Sequence, residues 1–422
     1  SIRAQTFEML HSFRGTNGAN PYARLLQAND GNLYGTTVNG GTNSLGTLFK
    51  MTLSGLVTPL IHFANTNGRN PYAELVQGND GSFYGTTFQG GTIGNGTAFK
   101  MTTLQGVTTL ISFTNNNGSF PVGGLVLESN NFFGTTYNGG AFNFGTVFRM
   151  ATNGAMTTLV SFNYSNGRSP AASLLKGIDG SFYGTAYSGG ASNCGTVFKM
   201  LTNGALTSLV TFRGTNNGQG PLGALVQGSD GNLYGTTQSG GARTNGTVFK
   251  MTTNGVLTTL VTFNTTNGAR PFCGLLQAND GSFFGTTYSG GESNLGTVFG
   301  VATNGLLTTL VSFTGSNGRN PIAGLTMGSD GNIYGSTETG GTNNVGTIFR
   351  IVMPVLLNSM QVGNELILSW PTNAFGFILQ MTSDLNYPDN WIDYTNSPSL
   401  VGGQFTVTNT ISGSSQFYRL KK

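Results

Sequence analysis

Gly31-Asn-Leu-Tyr-Gly-Thr-Thr37 returns as Gly81–Thr87, Asn130–Thr136, Gly180–Ala186, Gly231–Thr237, Gly281–Thr287 and Gly331–Thr337. Each copy is followed by a Gly-Gly pair and then by Gly-Thr-x-Phe, ending at Phe49, Phe99, Phe148, Phe198, Phe249, Phe299 and Phe349. The steps between these phenylalanines are 50, 49, 50, 51, 50 and 50 residues, so seven copies fill the chain up to Arg350. A fixed period of this size marks a repeat architecture, in which each unit buries its apolar face against its neighbours.

Within a copy, four runs rich in β-branched and aromatic residues are separated by turn residues, and none has a helical period. In the second copy they are strand a, Ala73–Gln77; strand b, Ser82–Thr87; strand c, Thr97–Met101; and strand d, Val107–Phe113. Asp-Gly joins a to b in six copies, at Asp30, Asp80, Asp179, Asp230, Asp280 and Asp330, which predicts a type I′ hairpin. The third copy departs with Ser129-Asn130-Asn131 and is one residue shorter. Short Asn-Gly turns such as Asn254-Gly255, or Gln105-Gly106, join c to d, while the d–a and b–c connections are longer. Four antiparallel strands per fifty residues describe a propeller blade, and seven copies give seven blades.

The ends of the repeat region test that expectation. The seventh copy stops after strand c, and Gln5–Phe13 aligns with strand d of the others, Phe13 matching Phe63, Phe113, Phe162, Phe212, Phe263 and Phe313. The opening strand is therefore expected to complete the last blade and close the ring, removing two open sheet edges. Completion of a neighbouring molecule's blade is the alternative. The expected fold is all-β: a seven-bladed β-propeller over residues 1–353, with strand 5–13 in blade seven. After Pro354 the pattern changes, and alternating segments around Trp370 and Trp391 predict a small β-sandwich of immunoglobulin or fibronectin type over 354–422.

Composition narrows the function. Of 422 residues only 8% are charged, against about 25% in ordinary domains, while Gly reaches 67, Phe 30 and Tyr 14. A net charge of +4 without a Lys/Arg cluster is too sparse for nucleic-acid binding. No apolar run is long enough to span a membrane. Two cysteines, Cys194 and Cys273, lie in copies two apart and are read as free thiols; the histidines, His11 and His62, make no repeated metal ligand. No catalytic residue, metal or cofactor is therefore assigned. A chain that starts at Ser1 with a surface rich in Asn, Thr, Ser and Gly points to an exported protein whose signal peptide has been removed.

The repeat Asp-Gly-Asn-Leu-Tyr-Gly-Thr-Thr…Gly-Gly…Gly-Thr-Val-Phe-Lys-Met resembles the GloVer tandem repeat of secreted bacterial proteins, over roughly residues 5–351. That resemblance implies an extracellular or cell-surface location and no assigned enzymatic activity. The Leu-Ser-Trp-Pro…Leu-Gln-Met-Thr…Trp…Phe-Tyr-Arg-Leu pattern is similar to C-terminal β-sandwich modules of exported bacterial proteins. More distantly, the blade is similar to ligand-sensing propellers of two-component regulators.

Three functions are weighed. A structural or adhesive protein that self-associates into a layer or filament is expected from the low charge, the Thr-rich strands d and the appended domain. A carbohydrate- or ligand-binding propeller is the alternative, using the long-loop face with Arg69, Arg168, Arg270 and Arg319 as binding residues and polysaccharide as a partner. An enzyme is disfavoured, because the few carboxylates sit at hairpin turns and glycoside hydrolysis needs a facing pair. The six bases that end strand c (Lys50, Lys100, Arg149, Lys199, Lys250, Arg350) are expected to lie along apolar rows or pair with those turn carboxylates.

Overall fold

The computed structural model describes residues 5–102, 106–278, 280–371, 377–386, 390–401, 404–411 and 415–421. Ser1, expected as a processed terminus, and Gln105 of the expected Gln-Gly turn lie outside them. Among the described residues there is no helix, and hence none long and apolar enough to cross a membrane. Each of the seven repeats forms an antiparallel sheet of four strands; the first adds a short fifth, Ala19–Pro21. The second repeat is representative, with strands Val76–Gln77, Phe83–Thr87, Thr97–Thr102 and Gly106–Ser112.

Thr6–Ser12 pairs antiparallel with Thr347–Val352, placing Phe7 opposite Ile351 and Met9 opposite Phe349. The pairing continues into Phe13, whose N–H donates to the Gly346 carbonyl at 3.0 Å. The Phe7 and Phe349 ring centroids lie 5.5 Å apart. The sheet of the last repeat is thus completed by the first strand of the same chain.

Consecutive sheets are joined by apolar clusters. One links the third repeat to the fourth through Phe133, Phe162 and Phe198; another links the sixth to the seventh through Phe284, Phe313 and Phe349. A further cluster returns from the seventh to the first through Tyr334, Ile348, Phe13, Leu33 and Phe49. The circuit of contacts closes, and the arrangement is propeller-like.

The repeated motif has a physical reading. The Gly of Tyr-Gly-Thr-Thr passes over the ring of the following Phe: a Cβ on Gly35 would lie 2.6 Å from Phe49 Cζ. The second Thr bonds the Thr of Gly-Thr-x-Phe, at 2.8 Å for Thr37 with Thr47 and again for Thr87 with Thr97. The fourth repeat has Ala186 at this place, and Thr196 donates to the Asn166 carbonyl instead. The first Thr reaches the next repeat, as Thr236 Oγ1 donates to the Cys273 carbonyl at 2.8 Å. Most of these buried hydroxyls find partners without using a backbone ladder position, while Thr86 and its equivalent Ser336 leave theirs buried and unpaired.

Two expectations need correction. Strand a is only two residues long, Val76–Gln77 rather than Ala73–Gln77. Near the axis the segments crowd too closely to pair, and a Cβ on Gly123 would lie 2.5 Å from the Ala172 carbonyl. Their carbonyls are instead used by threonines of the preceding repeat. The Asp-Gly hairpins are also not type I′. Gly31 has φ of 77° and its N–H donates to the Ala28 carbonyl at 2.9 Å, while Asp30 keeps negative φ. This is a type I turn over Asn29-Asp30 followed by a glycine bulge, the other common hairpin solution. In the shorter third repeat, positive φ falls on Ser129.

Beyond Pro354 the described strands form a four-stranded sheet (Asn358–Val362, Glu365–Pro371, Gln404–Thr410, Ser399–Val401) and a three-stranded one (Ile392–Asp393, Ile378–Thr382, Phe417–Lys421). Leu368, Trp370 and Val407 of the first share a buried cluster with Leu379 of the second.

Candidate functional site at the channel mouth

One side of the ring carries the tight hairpins, and there the chemistry is repeated and self-satisfied. Tyr84 donates its hydroxyl to Asp80 Oδ2 at 2.9 Å, and Lys100 Nζ lies 2.8 Å from the same oxygen. The set recurs as Asp30/Tyr34/Lys50, Asp179/Tyr183/Lys199 and Asp230/Tyr234/Lys250, and as Asp330/Tyr334/Arg350. Partial burial pulls the Asp80 carboxyl upward, but the bonds from Lys100, Tyr84 and Ser82 outweigh it and hold it at about 2. Asp179 is held at about 2 in the same way by Lys199, Ser181 and Tyr183. The bases therefore pair with turn carboxylates, and these aspartates lock hairpins.

The other side gathers the longer connections, which pair with each other across Arg69–Gln89, Arg168–Ser188 and Arg319–Thr339. Here the entries to strand a from all seven repeats surround a cavity of about 340 Å³. The residue that follows Pro in each repeat faces it: Tyr22, Tyr72, Val122, Ala171, Leu222, Phe272 and Ile322. Aromatic rings are concentrated on one arc. Tyr22 and Tyr72 meet edge to face at 4.7 Å, Tyr72 meets Phe88 at 5.1 Å, and Phe88 meets Phe120 at 5.1 Å. Phe272 and Tyr288 meet at 5.1 Å.

A few polar groups are set among these rings. Arg24 and Glu74 line the cavity 3.8 Å apart, and Ser173 donates to Glu74 Oε1 at 2.8 Å. Glu338 is half-buried beside Tyr288; burial pushes its carboxyl up, against the lowering pull of the Tyr288 hydroxyl and Arg319. Burial also raises the Tyr22 hydroxyl far above its usual range, with the charge of Glu338 adding to it. Burial thus keeps the Tyr22 hydroxyl protonated and able to donate, and makes the charged form of Glu338 costlier than that of an exposed carboxyl.

The four arginines expected to bind do not form a single set. Arg69, Arg168 and Arg319 occupy one repeat position, but Arg270 falls one residue later, at φ of 56°. None of the four is among the residues lining the cavity. Arg168 lies over the Phe144 ring at 5.6 Å, covering the preceding repeat's loop. The charges of Arg319 and Arg270 both act on the Tyr288 hydroxyl, lowering it against the rise caused mainly by burial. The cavity's own arginine, Arg24, and the aromatic arc were missed by the sequence reading. Their signal is the scatter of residue types after Pro, at a position whose neighbours hardly change from repeat to repeat.

Among the described residues no three His, Cys, Asp or Glu side chains converge as a metal site requires. Cys194 and Cys273 are free, the latter buried with its thiol 3.1 Å from Thr286 Oγ1.

The pattern of the Gloeobacter/Verrucomicrobia repeat matches residues 1–177 and again 172–356, spanning the whole repeat region. The chain belongs to this family. No curated protein matches it in sequence. Among solved structures, the extracellular domain of a hybrid two-component system from B. thetaiotaomicron aligns with 90% of this chain at 10% identity and a TM-score of 0.56. This chain covers 43% of that one, less than half its length. PorZ, a surface component of the type-IX secretion system of Porphyromonas gingivalis, aligns with 95% of this chain and 59% of its own at 10% identity, with a TM-score of 0.51. At such identities the likeness is one of fold. For this repeat family it places the sheets among propeller-like architectures.

Proposed function

We propose that the chain is an exported, non-enzymatic binding protein. Residues 1–353 act as a seven-bladed propeller closed by strand 5–13, and residues 354–422 as an appended β-sandwich. Its ligand is a saccharide held at the channel mouth. The observation that carries this reading is the set of Tyr22, Tyr72 and Phe272 on the wall of a cavity with few polar groups, with Phe88 packed against Tyr72 and Tyr288 against Phe272. A concave site of aromatic walls and a small number of fixed polar groups is the usual form of a small-molecule site. Aromatic faces suit the apolar faces of a pyranose ring, and the Tyr22, Tyr288 and Glu338 groups suit its hydroxyls. The neighbours from an extracellular domain and a surface component support a location outside the cell.

The test is a glycan array followed by titration calorimetry of the hits. Tyr72→Ala and Tyr22→Ala are expected to abolish binding while the protein stays folded. Binding that survives in both variants, or no glycan bound at all, defeats the proposal.

Self-association is the second reading, favoured by the four-stranded C-terminal sheet. Both of its edge strands are exposed and carry Met360, Val362, Leu400 and Val401 at the surface. Exposed apolar edges are prone to pair with further chains. Sedimentation velocity and electron microscopy separate the cases: filaments or layers lost in Met360→Lys/Leu400→Lys support assembly, and a concentration-independent monomer rejects it.

A further inference from the structure

We infer that the tight-hairpin side of the third repeat binds an oxyanion group: a carboxylate, sulfate or phosphate. The repeats supply their own controls. In the first, second, fourth and fifth, the lysine that ends strand c is consumed by a turn aspartate, and in the seventh Arg350 is held by Glu8 and Asp330. The sixth repeat loses base and tyrosine together, with Gly300 and Phe284 in their places, so no charge is left over on the cationic side. The third alone keeps the base and loses the acid: Arg149 remains, opposite a turn reading Ser129-Asn130 and with Phe133 in place of the tyrosine. Arg149 is exposed and has no ion-pair partner among the described residues.

That arginine borders a crevice of about 390 Å³ between the third and fourth repeats, lined also by Ser129, Asn131, Phe133, Thr202 and Asn203. Glu128 lies on the same crevice, but Lys176 neutralises it at 3.1 Å. The balance of charge is therefore positive. Hydroxyls of Ser129 and Thr202 are donors, and the Asn203 carbonyl oxygen is already engaged by the Ala205 N–H, which leaves its amide NH₂ as a further donor. A planar guanidinium among neutral donors is suited to bidentate capture of an oxyanion. Phe133 adds an apolar wall, so a group attached to a ring, as in a uronate, fits as well as a free ion.

The experiment titrates the full chain with sodium sulfate, phosphate and galacturonate, with galactose as the neutral control. Calorimetry and melting temperature are read at ionic strength matched with sodium chloride. Wild type should bind at least one oxyanion saturably, with a melting temperature that rises with concentration as expected for a ligand of the native state. Arg149→Ala should weaken that binding about tenfold or more, the usual loss for a charged hydrogen-bond partner. Ser129→Asp, which returns a carboxylate to the turn at a position whose positive φ Asp tolerates, should do the same without removing the arginine. Arg149→Lys should retain part of the binding, and Arg213→Ala, at an exposed arginine elsewhere, should retain all of it. Galacturonate binding without sulfate binding marks an acidic saccharide as the source; the reverse marks a free inorganic ion. Equal binding by wild type and Arg149→Ala, or no saturable binding of any of the three anions, overturns the inference.

Discussion

The two sides of the ring follow opposite rules. On the hairpin side, the position of Tyr34 holds only Tyr or Phe in all seven repeats, and five of them present an acid, a tyrosine and a base in the same geometry. On the channel side, the position of Tyr22 holds Tyr, Tyr, Val, Ala, Leu, Phe and Ile. Positions that every repeat shares serve the contact each blade makes with the next, because that contact is the same seven times. Positions that scatter are free of this demand and are where a single, asymmetric site is built. The third repeat's turn shows the same logic on the hairpin side, since a broken pattern there coincides with a crevice.

The contrast can be broken most forcefully at the closure. Phe13 is fully buried in the cluster that joins the seventh repeat to the first, and Phe13→Ala should cost about 3–5 kcal/mol. Deletion of residues 1–13 should cost more and broaden the calorimetric transition. An unchanged melting temperature in the deletion variant contradicts a ring held by its first strand. Next comes the motif glycine: Gly35→Ala drives a methyl into Phe49 and should cost about 1–3 kcal/mol in urea unfolding. Gly31→Ala meets no atom within 4 Å and should pay only for its left-handed backbone, about 1–2 kcal/mol. Equal costs in several repeats would sharpen the claim that these positions serve the common contact.

On the channel side Tyr72→Ala removes two edge-to-face ring contacts and should cost about 1 kcal/mol in stability, with its main effect on saccharide binding. The smallest effect concerns acid. Asp80 and Asp179 have folded values of about 2, below the ordinary carboxylate range. Their contribution is therefore present above about pH 4 and fades as pH falls toward 2. Because these carboxylates are substantially exposed, each should supply only about 0.2–1 kcal/mol. Urea unfolding at pH 5 and pH 2.5 should show that Asp80→Asn loses stability at the higher pH and little at the lower. A variant indistinguishable from wild type at both would show that the lock contributes nothing.

Much of the fold was legible. Gly-Thr-Thr and Gly-Thr-x-Phe set the strand count, and the unmatched Phe13 pointed to the closing strand, which pairs as expected with Thr347–Val352. The hairpin type was misread because Asp-Gly serves two turns. The choice between them is set by the register of the flanking strands, since the Ala28 N–H donates to the Asn32 carbonyl and leaves a three-residue loop. Asp280-Gly281 makes the same turn with Phe284 and Gly300 in place of the Tyr and Lys. The four arginines are legible as candidates because they stand on the longer connections, the face expected to bind. The structure sets the cavity one step further inward, at residues whose apolar character gave no such emphasis.

What the chain's own order of residues determined is the period, the four-strand unit and its apolar contacts, because alternation and turn chemistry act over neighbouring positions. What only the folded molecule decided is which side chains meet at the axis. Tyr22, Tyr72, Phe272, Tyr288 and Glu338 come from four different repeats, and closing the circuit brings them together across as many as 316 positions of sequence (338 minus 22). No local pattern carries that information.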